Sequence, residues 1–133
     1  MNTFNLTIVT PDGTAYSGTA ESLLVRTDDG DVEIMAGHAD YIASVGIGRT
    51  RIRVGGVDRF ASSSGGFLSV KSGEVKLVAT TFEFAEDIDK KRAELARENA
   101  ERAIASAKNS RDIDLARAKL QRALSRISVA EIK

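Results

Sequence analysis

Two stretches of the chain repeat one chemically capable arrangement: Ile88-Asp89-Lys90-Lys91-Arg92-Ala93 and Ile113-Asp114-Leu115-Ala116-Arg117-Ala118. An aspartate with an arginine three residues on suits a helix start. Its carboxylate meets the positive end of the helix dipole and can pair with the guanidinium. The same groups could equally serve a ligand. Arg122 and Arg126 stand one helical turn apart and share a face. If the two segments pair antiparallel, Arg126 comes level with Ala93, beside Arg92, and Arg122 comes level with Arg97. Three or four guanidinium groups then gather near the first segment. Such a set suits a polyphosphate, because the arginine fork binds phosphate bidentately. A solvated charged face accounts for the same spacing.

Other chemistries find few residues. His38 is the only histidine and cysteine is absent, which argues against a zinc site of ordinary ligands and against a Cys–His or metal-based enzyme. Ser62, Ser63 and Ser64 precede Gly65-Gly66, but neither Gly-x-Ser-x-Gly nor Gly-Lys-Ser/Thr is present. That stretch reads as a β-bulge or tight turn. Arg49, Arg51 and Arg53 alternate along one strand face with no aromatic in the strand. Single-stranded nucleic-acid sheets pair such charges with exposed rings, so this face is a solvated one or meets an acidic partner.

The elements that must position these residues fall into two halves. All 11 glycines and the single proline precede Glu74. Glycine and proline punctuate hairpins and disrupt helix interiors, so a turn-rich β part is followed by a helical part. Phe4, Leu6 and Ile8 alternate with Asn5 and Thr7 at strand period, and Pro11-Asp12-Gly13 supplies a turn. Further short strands read at 20–27, 31–35, 41–45, 50–54, 58–61, 66–70 and 75–79, the pattern of an antiparallel sandwich or barrel. From Asp87 the period becomes helical. Ala96, Ala100, Ala103 and Ala107 form one seam, and Ala116, Leu120, Ala123 and Ile127 another. Ser110 or Asp112 is the expected N-cap of the second helix, and the short connection forces an antiparallel hairpin. An alanine seam buries roughly a methyl per position, so the hairpin is marginal and able to rearrange.

The 133 residues fit one domain with an appendage. Formal charge is zero overall, with 7 Lys/Arg against 10 Asp/Glu through Glu83 and 12 against 9 from Phe84 onward. That balance is far from a nucleic-acid binder's. No run of apolar residues is long enough to span a membrane. The opening Met1-Asn2-Thr3-Phe4-Asn5 lacks the features of a signal peptide, and the lack of disulfides suits a reducing compartment, so a cytoplasmic location is the expectation.

One set of short motifs runs the length of the chain. It comprises Thr10-Pro11-Asp12-Gly13, Gly37-His38-Ala39, Ser64-Gly65-Gly66-Phe67-Leu68, Ala85-Glu86-Asp87-Ile88-Asp89 with Arg92-Ala93, and Arg126-Ile127-Ser128-Val129-Ala130-Glu131. In this order and spacing the chain resembles the epsilon subunits of bacterial and chloroplast F-type ATP synthases. The resemblance implies a β-sandwich of about ten strands over 1–84 and a regulatory two-helix hairpin over 85–133. It implies a noncatalytic rotor subunit of the proton-translocating synthase, at the cytoplasmic face of the membrane through the complex and not inserted in it. Its partners would be the gamma subunit, the c-subunit ring and, through an extended hairpin that inhibits hydrolysis, the catalytic beta subunits. The isolated chain would be a monomer. No cofactor is required, and ATP is the regulatory ligand implied, with Glu83, Ile88, Asp89, Arg92, Ala93, Arg122 and Arg126 at its contacts. Asp31 and His38 would lie at the stalk interface. Asn99 stands where members that bind ATP tightly carry arginine, and Ala36 and Asp40 stand where the family's loop has prolines. The alternative is a free-standing nucleotide-sensing sandwich and hairpin without a rotary partner, which co-purification with gamma would exclude.

Overall fold

The computed structural model describes residues 2–132. Ten strands precede two helices, as expected for a β-sandwich followed by a helical hairpin. One sheet has the order β2(Gly13–Ala20), β1(Phe4–Thr10), β9(Glu74–Val78), β8(Phe67–Lys71), β5(Tyr41–Ser44). The other has the order β10(Thr81–Phe84), β7(Val57–Ser64), β6(Gly48–Val54), β3(Ser22–Thr27), β4(Gly30–Met35). Pairing is antiparallel except between β1 and β9, which run parallel. Two strands escape the residue-by-residue reading. β2 is an edge strand, mostly exposed and with few large apolar side chains to show a period. β10 has only four residues.

The inward faces close one core. Phe4, Leu6 and Ile8 of β1, with Leu68 and Leu77, meet Leu23, Val25, Ile34, Ile52 and Phe84 of the opposite sheet. Each large side chain so buried contributes on the order of 1.5–3 kcal/mol. Two buried hydroxyls, Thr50 and Ser63, satisfy each other at 2.8 Å. The Gly65-Gly66 pair carries the chain from β7 in one sheet to β8 in the other. Gly66 has φ 86°, and a Cβ there would lie 1.7 Å from the Val78 carbonyl oxygen. The serine–glycine motif therefore works as a turn that only glycine can make.

After a 3₁₀ turn at Ala85–Asp87, α1(Lys90–Ser106) and α2(Ser110–Ala130) form the hairpin. Asp89 caps α1 by accepting from the Arg92 N–H at 3.1 Å. The cap of α2 is Asn109, accepting from the Asp112 N–H at 2.9 Å, so neither Ser110 nor Asp112 holds the cap. Asparagine is as good a cap, and here the helix starts one residue sooner. The seam also differs from the reading. Ala93 and Ala100 are buried against Ala116 and Ala123, while Ala103 faces solvent. Near the connection α1 buries Ile104 in part instead, because a branched side chain fills space that a methyl leaves open. Lys90 and Glu131 close the far end of the hairpin at 3.3 Å.

α2 lies on the outer face of β7 and β6. This explains why Ala61, Ser62, Ser63 and Ser64 are all buried instead of alternating. Neighbouring residues of a strand point to opposite faces, and here both faces are covered. Two polar contacts tie helix to sheet: the Ser62 and Ser125 hydroxyls at 2.8 Å, and Arg126 Nε donating to Glu83 Oε1 at 2.6 Å.

Candidate functional site

The Ile-Asp-x-x-Arg-Ala segment opens α1 where that helix leaves the sandwich. The fold sets it against the Pro11-Asp12-Gly13 turn and the β9–β10 connection, around a cleft of about 490 Å³. Glu83, Ile88, Asp89, Arg92, Ala93 and Arg126 all line this cleft, so the fold brings together six of the seven residues singled out from sequence. Arg122 is the exception. It lines a separate cleft on the other flank of α2, because being one turn from Arg126 does not oblige it to face α1. Thr10, Asp12, Thr81 and Asp87 line the motif cleft as well, and sequence reasoning missed them. The parallel pairing of β1 with β9, continued by Ala79 N–H donating to the Val9 carbonyl, is what delivers the Thr10–Asp12 turn. A pairing between strands so far apart in sequence leaves no local signal.

The charges of this cleft are uneven. Asp12, Glu83, Asp87 and Asp89 supply carboxylates, against the guanidinium groups of Arg92 and Arg126. Arg126 is already engaged by Glu83, and one oxygen of Asp89 is committed to the helix cap. The remaining carboxylate capacity suits hydrogen-bond donors such as an exocyclic amine or sugar hydroxyls. Among the described residues Arg92 makes no ion pair, which leaves its fork for an anion. Asn99 lies outside the cleft, on the α1 surface, where it accepts from Arg102 at 3.0 Å.

Two arginines of the β6 row, Arg51 and Arg53, find acidic partners within their own sheet. Arg51 pairs with Glu33 and donates to Ser22 Oγ at 3.0 Å, and Arg53 meets Asp58 at 2.8 Å. At the junction with the hairpin, Arg59 stacks 3.4 Å over the Phe84 ring and pairs with Glu86 at 2.6 Å. Arg51 pulls the Glu33 carboxyl below its ordinary 4.5, and Arg53 pulls that of Asp58 below 3.8. The Glu86 carboxyl is lowered from 4.5 first by a backbone hydrogen bond and then by Arg59. A carboxylate lowered by folding stabilises the native state above its unfolded pKa and loses that contribution as pH falls through the folded value. The denaturation midpoint is therefore expected to be flat near neutrality and to fall modestly below about pH 4, as these exposed pairs protonate. Urea titrations across that range check this, and Arg59→Ala should remove part of the slope.

Asp31 and His38 lie at opposite ends of β4: Asp31 beside the β3–β4 turn, opposite Arg26, and His38 beyond Met35, whose carbonyl accepts from the His38 N–H at 3.2 Å. Nδ1 of the half-buried His38 lies 2.7 Å from the Ala39 carbonyl oxygen. That oxygen only accepts, so Nδ1 is the donor in this contact. The ring packs edge-on to Tyr41 at 5.7 Å. Asp31 is exposed and 3.5 Å from Arg26. No described helix is long and apolar enough to cross a membrane.

Known proteins of similar sequence match both halves. A family described as "ATP synthase, Delta/Epsilon chain, beta-sandwich domain" matches residues 3–85, and "ATP synthase, Delta/Epsilon chain, long alpha-helix domain" matches residues 86–131. The chain is 40% identical to the ATP synthase epsilon chain of Bacillus velezensis over 98% of each, and 41% identical to that of Bacillus subtilis over the same shares. A chain in the mitochondrial ATP synthase of Euglena gracilis, described as OSCP/F1/c-ring, superposes with a TM-score of 0.81 at 22% identity. The alignment covers 92% of this chain and 78% of that one, a likeness of fold. The sandwich, the hairpin and the near-complete match to epsilon chains show that this chain belongs to the ATP synthase delta/epsilon family.

Proposed function

We propose that the chain is a noncatalytic central-stalk subunit of a proton-translocating ATP synthase. In this reading the sandwich couples gamma to the c ring at the cytoplasmic face of the membrane, and the hairpin restrains ATP hydrolysis when it extends toward the catalytic subunits. One observation carries the regulatory part: the hairpin is held to the sandwich by the Arg126–Glu83 and Ser125–Ser62 contacts around an alanine-rich seam. These polar contacts, and the fully buried Val129 of α2, lie outside the core between the sheets, so the hairpin can release without disturbing that core.

ATP is the ligand we assign to the motif cleft. Glu83 and Asp89 would accept from the adenine amine or the ribose hydroxyls, with Ile88 and Ala93 as apolar wall. Arg92 takes phosphate, joined by Arg126 when Glu83 releases it. Arg122, outside the cleft, has no part in that contact set. Glu83 and Arg126 belong to different domains, so the site exists only while the hairpin is folded.

Docking is assigned to the segment from Asp28 to Asp40, which runs from the β3–β4 turn with Asp31 to the loop with His38, since loops hold contacts and the strands hold the loops. His38 is the residue that meets gamma. His38→Glu is expected to weaken binding to purified gamma at least tenfold in a pull-down or interferometry assay, while the far-ultraviolet circular dichroism stays unchanged. Unchanged affinity would take His38 out of the interface. A wild-type chain that binds no gamma would overturn the stalk assignment itself.

A further inference from the structure

A cleft of about 850 Å³ is a different site from the motif cleft. It lies on the opposite flank of α2, between that helix and the β3–β6 corner of the sandwich. We propose that it binds a multiply charged phosphate anion, for which pyrophosphate is the simplest probe.

Charge is the first argument. Arg26 and Arg49 from the sandwich and Arg122 from α2 line this cleft, with Asp28 as the one carboxylate among its lining residues. The motif cleft has the reverse balance, four carboxylates against two guanidinium groups. A dianionic or more highly charged group is favoured where cations are in excess and the walls are concave.

Availability is the second. Arg26, Arg51, Arg53, Arg59 and Arg126 are each engaged by a carboxylate, Arg26 by the exposed Asp31 at 3.5 Å. Among the described residues neither Arg49 nor Arg122 forms an ion pair. Their forks are left to bind a phosphate through paired N–H donors, the geometry in which arginine surpasses lysine.

Placement is the third. The Arg49 guanidinium rests 5.6 Å from the Phe60 ring centre, which favours the cation in that position. The Gly46 N–H donates to the Arg26 carbonyl at 2.9 Å. A Cβ on Gly48 would lie 2.7 Å from the Cβ of Arg26, so glycine at 48 lets β6 start directly against the Arg26 stem. Two of the three cations are thus seated by the sandwich. The third arrives with the hairpin.

An occupant would bridge the two domains and favour the folded hairpin, since extension removes Arg122 from the set. The phosphate could come from a free anion or from the tail of a nucleotide seated next door, for Thr80 lines both clefts. Titrations with pyrophosphate, ATP and adenosine separate these sources, with amide resonances of the ¹⁵N-labelled full chain and calorimetry as readouts. Pyrophosphate is expected to shift the amides of 46–49 and 121–128. Arg49→Ala and Arg122→Ala should each weaken it about tenfold or more. Arg92→Ala should leave pyrophosphate binding in place while weakening ATP. If ATP also shifts 46–49 and adenosine does not, its tail reaches the site; if only pyrophosphate does, the ligand is a free anion. No saturable shift at millimolar pyrophosphate, shifts confined to 88–93, or wild-type affinity in Arg49→Ala would overturn the proposal. Arg49 is exposed and makes no ion pair among the described residues, so its variant is expected to fold, and the dispersion of the spectrum verifies that.

Discussion

Arg92→Ala is expected to lower the affinity for ATP at least tenfold and to leave the fold intact. Losing a charge-assisted hydrogen bond costs about 1.5–3 kcal/mol, and about 1.4 kcal/mol is a factor of ten in affinity. The substitution is structurally mild. Arg92 is exposed and contributes to the helix start through its backbone N–H, which alanine keeps for the Asp89 cap. Arg126→Ala should weaken ATP comparably, by a mixed route. It removes a phosphate donor, and it also frees Glu83 from a 2.6 Å pair that ties hairpin to sandwich. Arg51→Ala is the control, since its partners Glu33 and Ser22 lie on other strands of the sheet, away from the cleft. Calorimetry on the three variants distinguishes the outcomes. Equal losses from all three would mean diffuse electrostatics, and no heat from the wild-type chain at millimolar ATP would remove the nucleotide from this cleft.

Deletion of residues 87–133 is expected to give a folded sandwich that still couples the synthase, and a several-fold rise in ATP hydrolysis by the reconstituted complex. The sandwich should survive because the helices cover a polar face. α2 sits over Ser62 and Ser64 and pairs with Glu83, groups that water can satisfy once the helix is gone. The core between the sheets contains no residue of the hairpin. Ending at Glu86 also keeps its ion pair with Arg59, which in turn holds the Phe84 ring at the end of the last strand. Thermal unfolding of the truncated chain tests the first half, and hydrolysis assays on complexes with either form test the second. Equal hydrolysis rates would mean that this hairpin does not inhibit.

Much of this protein is set by local rules and so stands in the sequence. Glycines and a proline confined to the first part, followed by periodic alanine, foretell a sandwich and then a hairpin, because backbone freedom and periodicity act over a few residues. The Ile88–Ala93 motif and the cap at its start are legible for the same reason. Element edges are less so: β2 lacks alternating bulk, and Asn109, not Ser110 or Asp112, takes the cap. The clefts belong to the tertiary structure alone. The parallel β1–β9 pairing brings the Thr10–Asp12 turn to the motif, and no periodicity encodes a pairing across more than sixty residues. Arg122 and Arg126 look equivalent along the helix, one turn apart. Where α2 rests on the sheet decides that Arg126 meets Glu83 and Arg122 faces Arg26 and Arg49 across the other cleft. Spacing along a helix says which side chains share a face; only the packing of that helix against its neighbours says what each one meets.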